Sequence, residues 1–238
     1  MVIYHGPSVL TAPAVLAVSI ADQVHDLLRG EIARGAFRPG ERILEKALAE
    51  RLAISRTPIR EALLRLETEG VVTCTSRRSY NVRILTVQDV REIYETLGIL
   101  EGAAAGLVAS RVTDHDLRDL RRLNQQMMSA ASRADLPAFG DLNRRFHDVF
   151  LRKLDNRTLR DTCTHVRRPL YTFPVQRRSL ADWLRKSVTE HRTIIRLAAA
   201  GEADELAAYF RDVHWSYEHN QRYITDAFDR KGEAAVHL

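Results

Sequence analysis

LAERLAISRTPIREALLRLETEG, residues 48–70, is the stretch whose reading decides the fold. Its second half predicts a helix from about Thr57, because Pro58 suits the first helical position and Ser55 or Thr57 can cap it. Gly70 is its stop. Ile59, Ala62, Leu63 and Leu66 form one buried stripe on that helix. The first half belongs to a short helix over 42–53, in which Leu44, Ala47, Leu48 and Leu52 share a face, and Ile54, Ser55 and Arg56 make the turn between the two. Upstream, Ile20, Val24, Leu27, Leu28 and Ile32 recur at helical spacing from Ser19. That helix closes near Gly35, before the turn signal Arg38-Pro39-Gly40. Downstream, residues 71–75 and 80–83 read as two short strands around a basic tip, Ser76-Arg77-Arg78-Ser79. Three helices followed by a hairpin predict a winged helix-turn-helix.

A helix lying in the major groove of DNA presents polar side chains opposite its hydrophobic stripe, chiefly in its first turns. Arg56 and Arg60, four apart, meet that requirement. Their guanidinium forks can grip guanine O6 and N7 or the flanking phosphates, while Ser55 and Thr57 can bond a phosphate near the helix N-terminus. Lys46 can reach the DNA backbone from the preceding helix, and Arg77 and Arg78 can touch an adjacent groove. On spacing alone, a solvated basic face fits these residues equally well. The longer pattern decides between the two: residues 48–70, continued upstream by FRPGERILEKALAE (37–50), resemble the diagnostic segment of the GntR family of regulators, over roughly 19–83. The resemblance implies that Lys46, Ser55, Arg56, Thr57 and Arg60 occupy DNA-contact positions and that the wing lies near 76–78. Ser79 stands where such wings commonly carry a glycine.

Beyond Leu85 the strand signals fade and amphipathic helices succeed one another, which predicts an all-helical second unit over 84–228. Residues 1–18 read as a loose arm and 229–238 as a tail. Thr86 and Thr113 each stand three residues before an aspartate, Asp89 and Asp116, in the manner of a capping box. Ile93, Leu97, Leu100, Ala104 and Leu107 come after the first at helical spacing. Another helix starts at Asp135-Leu136-Pro137, the next is kinked or divided at Pro169 and Pro174, and the last two flank Gly201.

Asn143 and His147 are four apart on one predicted helix, with Phe139 and Phe150 above and below. His191 and His214 lie on two further helices, beside Ile194 and Ile195 in one and Phe210 and Tyr217 in the other. Converging inside a bundle, three imidazoles and an amide carbonyl suit a divalent transition metal such as zinc, nickel or iron, since neutral imidazole ligates each of them. Three separately satisfied histidines fit the spacing as well. The order NRRFHDVFL, DN, EHRTII and DVH resembles the FCD ligand-binding domain of the FadR subfamily. That resemblance implies that His147, His191 and His214 match metal-ligating histidines and that Asn143 replaces an aspartate. It also implies that Leu97 replaces an arginine that often precedes the family's glutamate, here Glu101, by four residues. Arg144, Arg167, Arg168 or Tyr171 would then take over the grip on an anionic effector.

With 238 residues, of which 45% are hydrophobic, the chain is long enough for two compact cores. A formal net charge of +5 suits a polyanionic partner without identifying one. Cys74 and Cys163, without CxxC spacing, exclude a disulfide framework and a cysteine-rich zinc site and fit a reducing cytoplasm. No window reads as a membrane span or secretory signal, and no glycine-rich phosphate loop or serine nucleophile elbow is present. The expectation is a mostly α, non-enzymatic, cytoplasmic transcription regulator. It is a homodimeric repressor reading palindromic operator DNA, and its antiparallel helical bundle binds a small organic-acid effector at the metal. The competing readings are a metal-dependent hydrolase using the three histidines, against which no carboxylate is evidently paired as a general base, and a sequence-indifferent DNA-coating protein.

Overall fold

The computed structural model describes residues 19–76, 79–172 and 180–228. Helix α1 (Ile20–Ala33) starts from a complete capping box: Ser19 Oγ accepts from Asp22 N at 3.0 Å, and Ser19 N donates to the Asp22 carboxylate at 3.2 Å. Its stripe is narrower than the spacing suggests. Val24, Leu28 and Ile32 are buried, whereas Ile20 and Leu27 are exposed.

The second helix is shorter than expected, because Arg42–Leu44 forms a strand, β1, and α2 spans only Glu45–Leu52. Apolar residues at 43, 44, 47 and 48 fit a helical spacing, and it is the partner strand that turns 42–44 into a strand. Ile43 is buried opposite Tyr80, and Arg42 Nε donates to Ser79 Oγ at 2.6 Å. Helix α2 closes on Ala53, in the left-handed region at φ 53°. Helix α3 (Arg56–Thr68) has Ser55 as N-cap residue, and the chain leaves it through Gly70 at φ 69°. Ile59, Ala62, Leu63 and Leu66 are fully buried, chiefly against α1. Strands β2 (Val72–Ser76) and β3 (Ser79–Val82) are antiparallel, and the sheet order is β1-β3-β2. Arg77 and Arg78 lie outside the described residues, so the expected wing contacts do too.

Helix α4 (Val87–Val108) and, after a turn of 3₁₀ helix, α5 (Asp114–Ser132) both begin with the expected capping boxes, Thr86 with Asp89 and Thr113 with Asp116. On α4, Leu97 and Ala104 are buried, but Leu107 and Ile99 are about two-thirds exposed, at 66% and 64%. Helix α6 (Leu136–Leu151) is capped by Asp135. Helix α7 (Arg157–Thr172) runs through Pro169 without dividing there, while Pro174 lies outside the described residues. The chain continues with α8 (Leu180–Ala200), α9 (Ala203–Tyr209), a π-helical segment Phe210–His214, and α10 (Tyr217–Phe228). The π segment, which the spacing does not announce, divides what the sequence predicts as one helix after Gly201.

Helix α4 is the spine of this unit and packs against α6, α7, α9, the π segment and α10. Its close approach to α9 depends on Gly102, where a Cβ would fall 2.9 Å from the Ala207 carbonyl oxygen. Helix α5 packs between α6 and α8. The fold is mostly helical, a winged helix-turn-helix followed by a helical bundle. Among the described residues no helix is long and apolar enough to cross a membrane.

Candidate metal centre and nucleic-acid interface

Three helical elements bring the three histidines together. His147 comes from α6, His191 from α8 and His214 from the end of the π segment; all are buried, and one ring nitrogen from each lies within 4.8 Å of the others. The extra residue of a π turn rotates the side chains beyond it about the helix axis, and His214 sits at that offset, with Trp215 directly after it. Phe146 stacks on the His191 ring at 4.0 Å between centroids, and Phe210 lies edge-on to His147 and His214.

Two carboxylates that the sequence does not visibly pair with the histidines orient these rings. Glu101 Oε2 accepts from His147 Nδ1 at 2.7 Å, and Glu190 Oε2 accepts from His214 Nδ1 at 2.9 Å. Trp215 Nε1 also donates to Glu101 at 3.0 Å, and Arg167 Nη1 donates to its other oxygen at 2.9 Å. Burial works to raise the Glu101 carboxyl, but the Arg167 charge, His147 and these hydrogen bonds outweigh it and hold it at about 2. Glu190 behaves alike: burial raises it, and His214 and Lys186 bring it below its ordinary value. Burial pushes His147 down to about 4, against the pull of Glu101, and drives His191 well below its usual value.

The rings are therefore arranged as metal ligands are. With each Nδ1 turned to a carboxylate, the Nε2 atoms of His147 and His214 face each other 3.3 Å apart. Ligands at the usual zinc–nitrogen distance of about 2.0–2.1 Å stand about 3.3 Å from one another in a tetrahedral site. Both nitrogens of His191 are buried without a hydrogen-bond partner among the described residues. Orphaned buried polar atoms cost roughly 1–3 kcal/mol each. A cation held by His147, His191 and His214 gives one nitrogen of each ring a partner, so the residues present fit a metal. Asn143, buried one turn before His147, lines a cavity of about 450 Å³ together with Trp215, the residue after His214; the three histidines themselves are not in its lining.

The residues considered for an anionic effector are dispersed. Arg144 lines that cavity and pairs with Asp141 at 2.5 Å and Asp148 at 3.3 Å. Arg167 is buried between Glu101 and Asp148, where it holds Glu101 rather than facing the cavity. Arg168 turns to the winged helix and pairs with Glu69 at 2.8 Å. The Tyr171 side chain lies outside the described residues. Sequence reasoning passes over Glu190 and Trp215 and notes Glu101 only as a family position. An acid embedded in the apolar run LGILEGAAAG and an acid directly before His191 are the available signals.

On the winged helix, Ser55, Arg56, Thr57 and Arg60 are all exposed at the start of α3. Arg60 is held by a bidentate pair with the buried Glu45, at 2.9 and 2.8 Å, with its side chain still half exposed. Lys46 is exposed on α2, 3.8 Å from Glu50. The arrangement presents one cationic surface at the N-terminal end of α3.

Comparison with known proteins accords with both halves. Residues 20–82 match the family of bacterial regulatory proteins described as gntR, and residues 92–213 match the FCD domain. The Nta operon transcriptional regulator of Aminobacter aminovorans is 34% identical over 180 residues, which cover 73% of this chain and 80% of that protein. The uncharacterised HTH-type transcriptional regulator YdhC of Bacillus subtilis (strain 168) is 33% identical over 145 residues, 60% of this chain and 65% of that one. The solved structure titled E. coli McbR/YncC superposes with a TM-score of 0.69 at 22% identity, over 90% of this chain and 99% of the other. Relatives of this kind are regulators, and the hydrolase reading finds no support among them. The chain belongs to the GntR family of bacterial transcription regulators, in its FCD-domain branch.

Proposed function

We propose that the protein is a homodimeric repressor whose reader unit, 19–83, binds half-sites of a palindromic operator and whose helical unit, 84–228, holds a carboxylate effector at a divalent metal. His147, His191 and His214 would be the ligands, with the Asn143 amide oxygen as a neutral fourth donor. Zinc, nickel and iron all suit such a set. The observation that supports this reading is the approach of the His147 and His214 Nε2 atoms to 3.3 Å, beside a His191 ring that has no hydrogen-bond partner among the described residues. A bound ion would supply a Lewis-acid grip on the effector's carboxylate. Glu101 and Glu190 keep the rings in one tautomer, and Arg167 keeps Glu101 in place.

At the reader, Arg56 and Arg60 supply base or phosphate contacts, Ser55, Thr57 and Lys46 supply phosphate contacts, and Arg77 and Arg78 belong to the wing. Exposed Ile99 and Leu107 on α4 support an apolar contact with a second copy. The effector must favour one arrangement of the two readers over another, because only differential affinity shifts the equilibrium. Elemental analysis of the purified full chain tests the centre. We expect about one divalent ion per chain, lost in His191→Ala; no ion and no uptake on titration would overturn the metal reading. Footprinting on the upstream DNA of its own gene tests the reader, and a discrete protected palindrome is the expected result.

A further inference from the structure

The cavity beside Asn143 does not end within the helical unit. Its lining includes Asn143 and Trp215 of the helical unit and Arg29, Ala33 and Arg34 of α1, which belongs to the winged helix. Aromatic side chains line it as well, among them Tyr94, whose ring meets Trp215 edge-on at 5.1 Å. A volume of about 450 Å³ is that of a small-molecule site.

The lining arginines from the two units differ in how their charges are matched. Arg144, on the helical side, is paired with Asp141 and Asp148. Arg65 on α3 and Arg168 on α7 pair with Asp22 and Glu69. Arg29 and Arg34 have no carboxylate within ion-pair distance among the described residues. Arg34 lies back along its own helix over Gly30, where a Cβ would stand 3.1 Å from Nη1. Gly30 is thus the gap in α1 that lets the guanidinium lie there.

We infer that the effector carries two anionic groups separated by an apolar or aromatic spacer, one beside Asn143 and the other held by Arg29 and Arg34. The inference rests on the metal-and-carboxylate reading above and adds the second charge and its holders. It also gives the effector a direct hold on the reader, because α1 packs through Val24, Leu28 and Ile32 onto α3. A ligand clasped between α1 and the helical unit limits where α3 can point, without touching DNA.

Titration calorimetry of the zinc-loaded full chain tests this with matched acids: succinate against butyrate, adipate against hexanoate, terephthalate against benzoate. In at least one pair the dicarboxylate should bind about tenfold or more tighter, the scale of one charge-assisted contact. Arg29→Gln with Arg34→Gln should abolish that preference while leaving the zinc content unchanged. Both arginines are exposed, so the fold does not depend on them. Equal binding within every pair, or a preference that survives the double substitution, overturns the inference while leaving the metal reading standing. A chain that retains no zinc and binds neither kind of acid sinks the metal-and-carboxylate reading, and this inference with it.

Discussion

The start of α3 and the histidine cluster both gather polar side chains, under opposite conditions. Ser55, Arg56, Thr57 and Arg60 face water, so in the absence of DNA they are solvated and no desolvation is left uncompensated. His147, His191 and His214 are buried, so every ring nitrogen needs a partner inside the protein. A surface for a polyanion can be kept ready by solvent, whereas a buried centre has to be completed from within, here by carboxylates and, on the proposed reading, by an ion. Substitutions at the reader should therefore change binding with little effect on stability, and substitutions around the cluster should change stability itself.

The largest expected effect is at Glu101. Glu101→Ala removes one of the two carboxylates that neutralise the buried Arg167 and releases His147 and Trp215. Breaking a buried pair in this way costs about 3–5 kcal/mol, read as a fall in the urea midpoint. A variant within the error of the parent would break the contrast between cluster and reader.

Next comes removal of the ion. Stability should rise by about 2.7 kcal/mol when free zinc is a hundredfold above its Kd, and chelation should reverse that gain. Thermal unfolding with and without chelator measures it, and His191→Ala should be indifferent to either. A parent protein equally indifferent would place the cluster among ordinary packed histidines.

A smaller effect is expected at the reader. Arg60→Ala should weaken operator binding by roughly 1–3 kcal/mol, in a mobility-shift titration. The pair with Glu45 sharpens this prediction, since the substitution also leaves a buried carboxylate without its guanidinium. Arg60→Ala with Glu45→Gln separates the two, because only the loss of affinity should persist.

The smallest is local. Thr86→Ala removes the side-chain half of the α4 capping box and should cost about 1 kcal/mol of stability. Operator affinity should be unchanged. A loss of DNA binding there would mean that the junction between the units carries more than helix initiation.

How much is legible in the sequence depends on the range of each signal. Helix starts at Thr86 and Thr113 depend on residues three apart, and the α3 stripe on residues three and four apart, so both are readable and both are present. The family pattern over 37–70 is readable because it is contiguous. β1 is not: a strand of three residues exists only through β3, and Arg42 meets Ser79 from 37 residues away. Arg167 reads as a candidate to face an effector because nothing near it in the sequence signals that Glu101 and Asp148 enclose it.

The sequence by itself determined the order of elements, the exposed cationic start of α3 and the three histidines as candidates, because periodicity, caps and contiguous motifs are written in near neighbours. Only the tertiary structure decided that those histidines meet, that Glu101 and Glu190 set the tautomers of two of them, and that one cavity reaches from Asn143 to Arg34. The reason is that α1, α4, α6, α8 and the π segment bring these groups together from distant parts of the chain, through packing of apolar faces that carries no record of which polar atoms it will enclose.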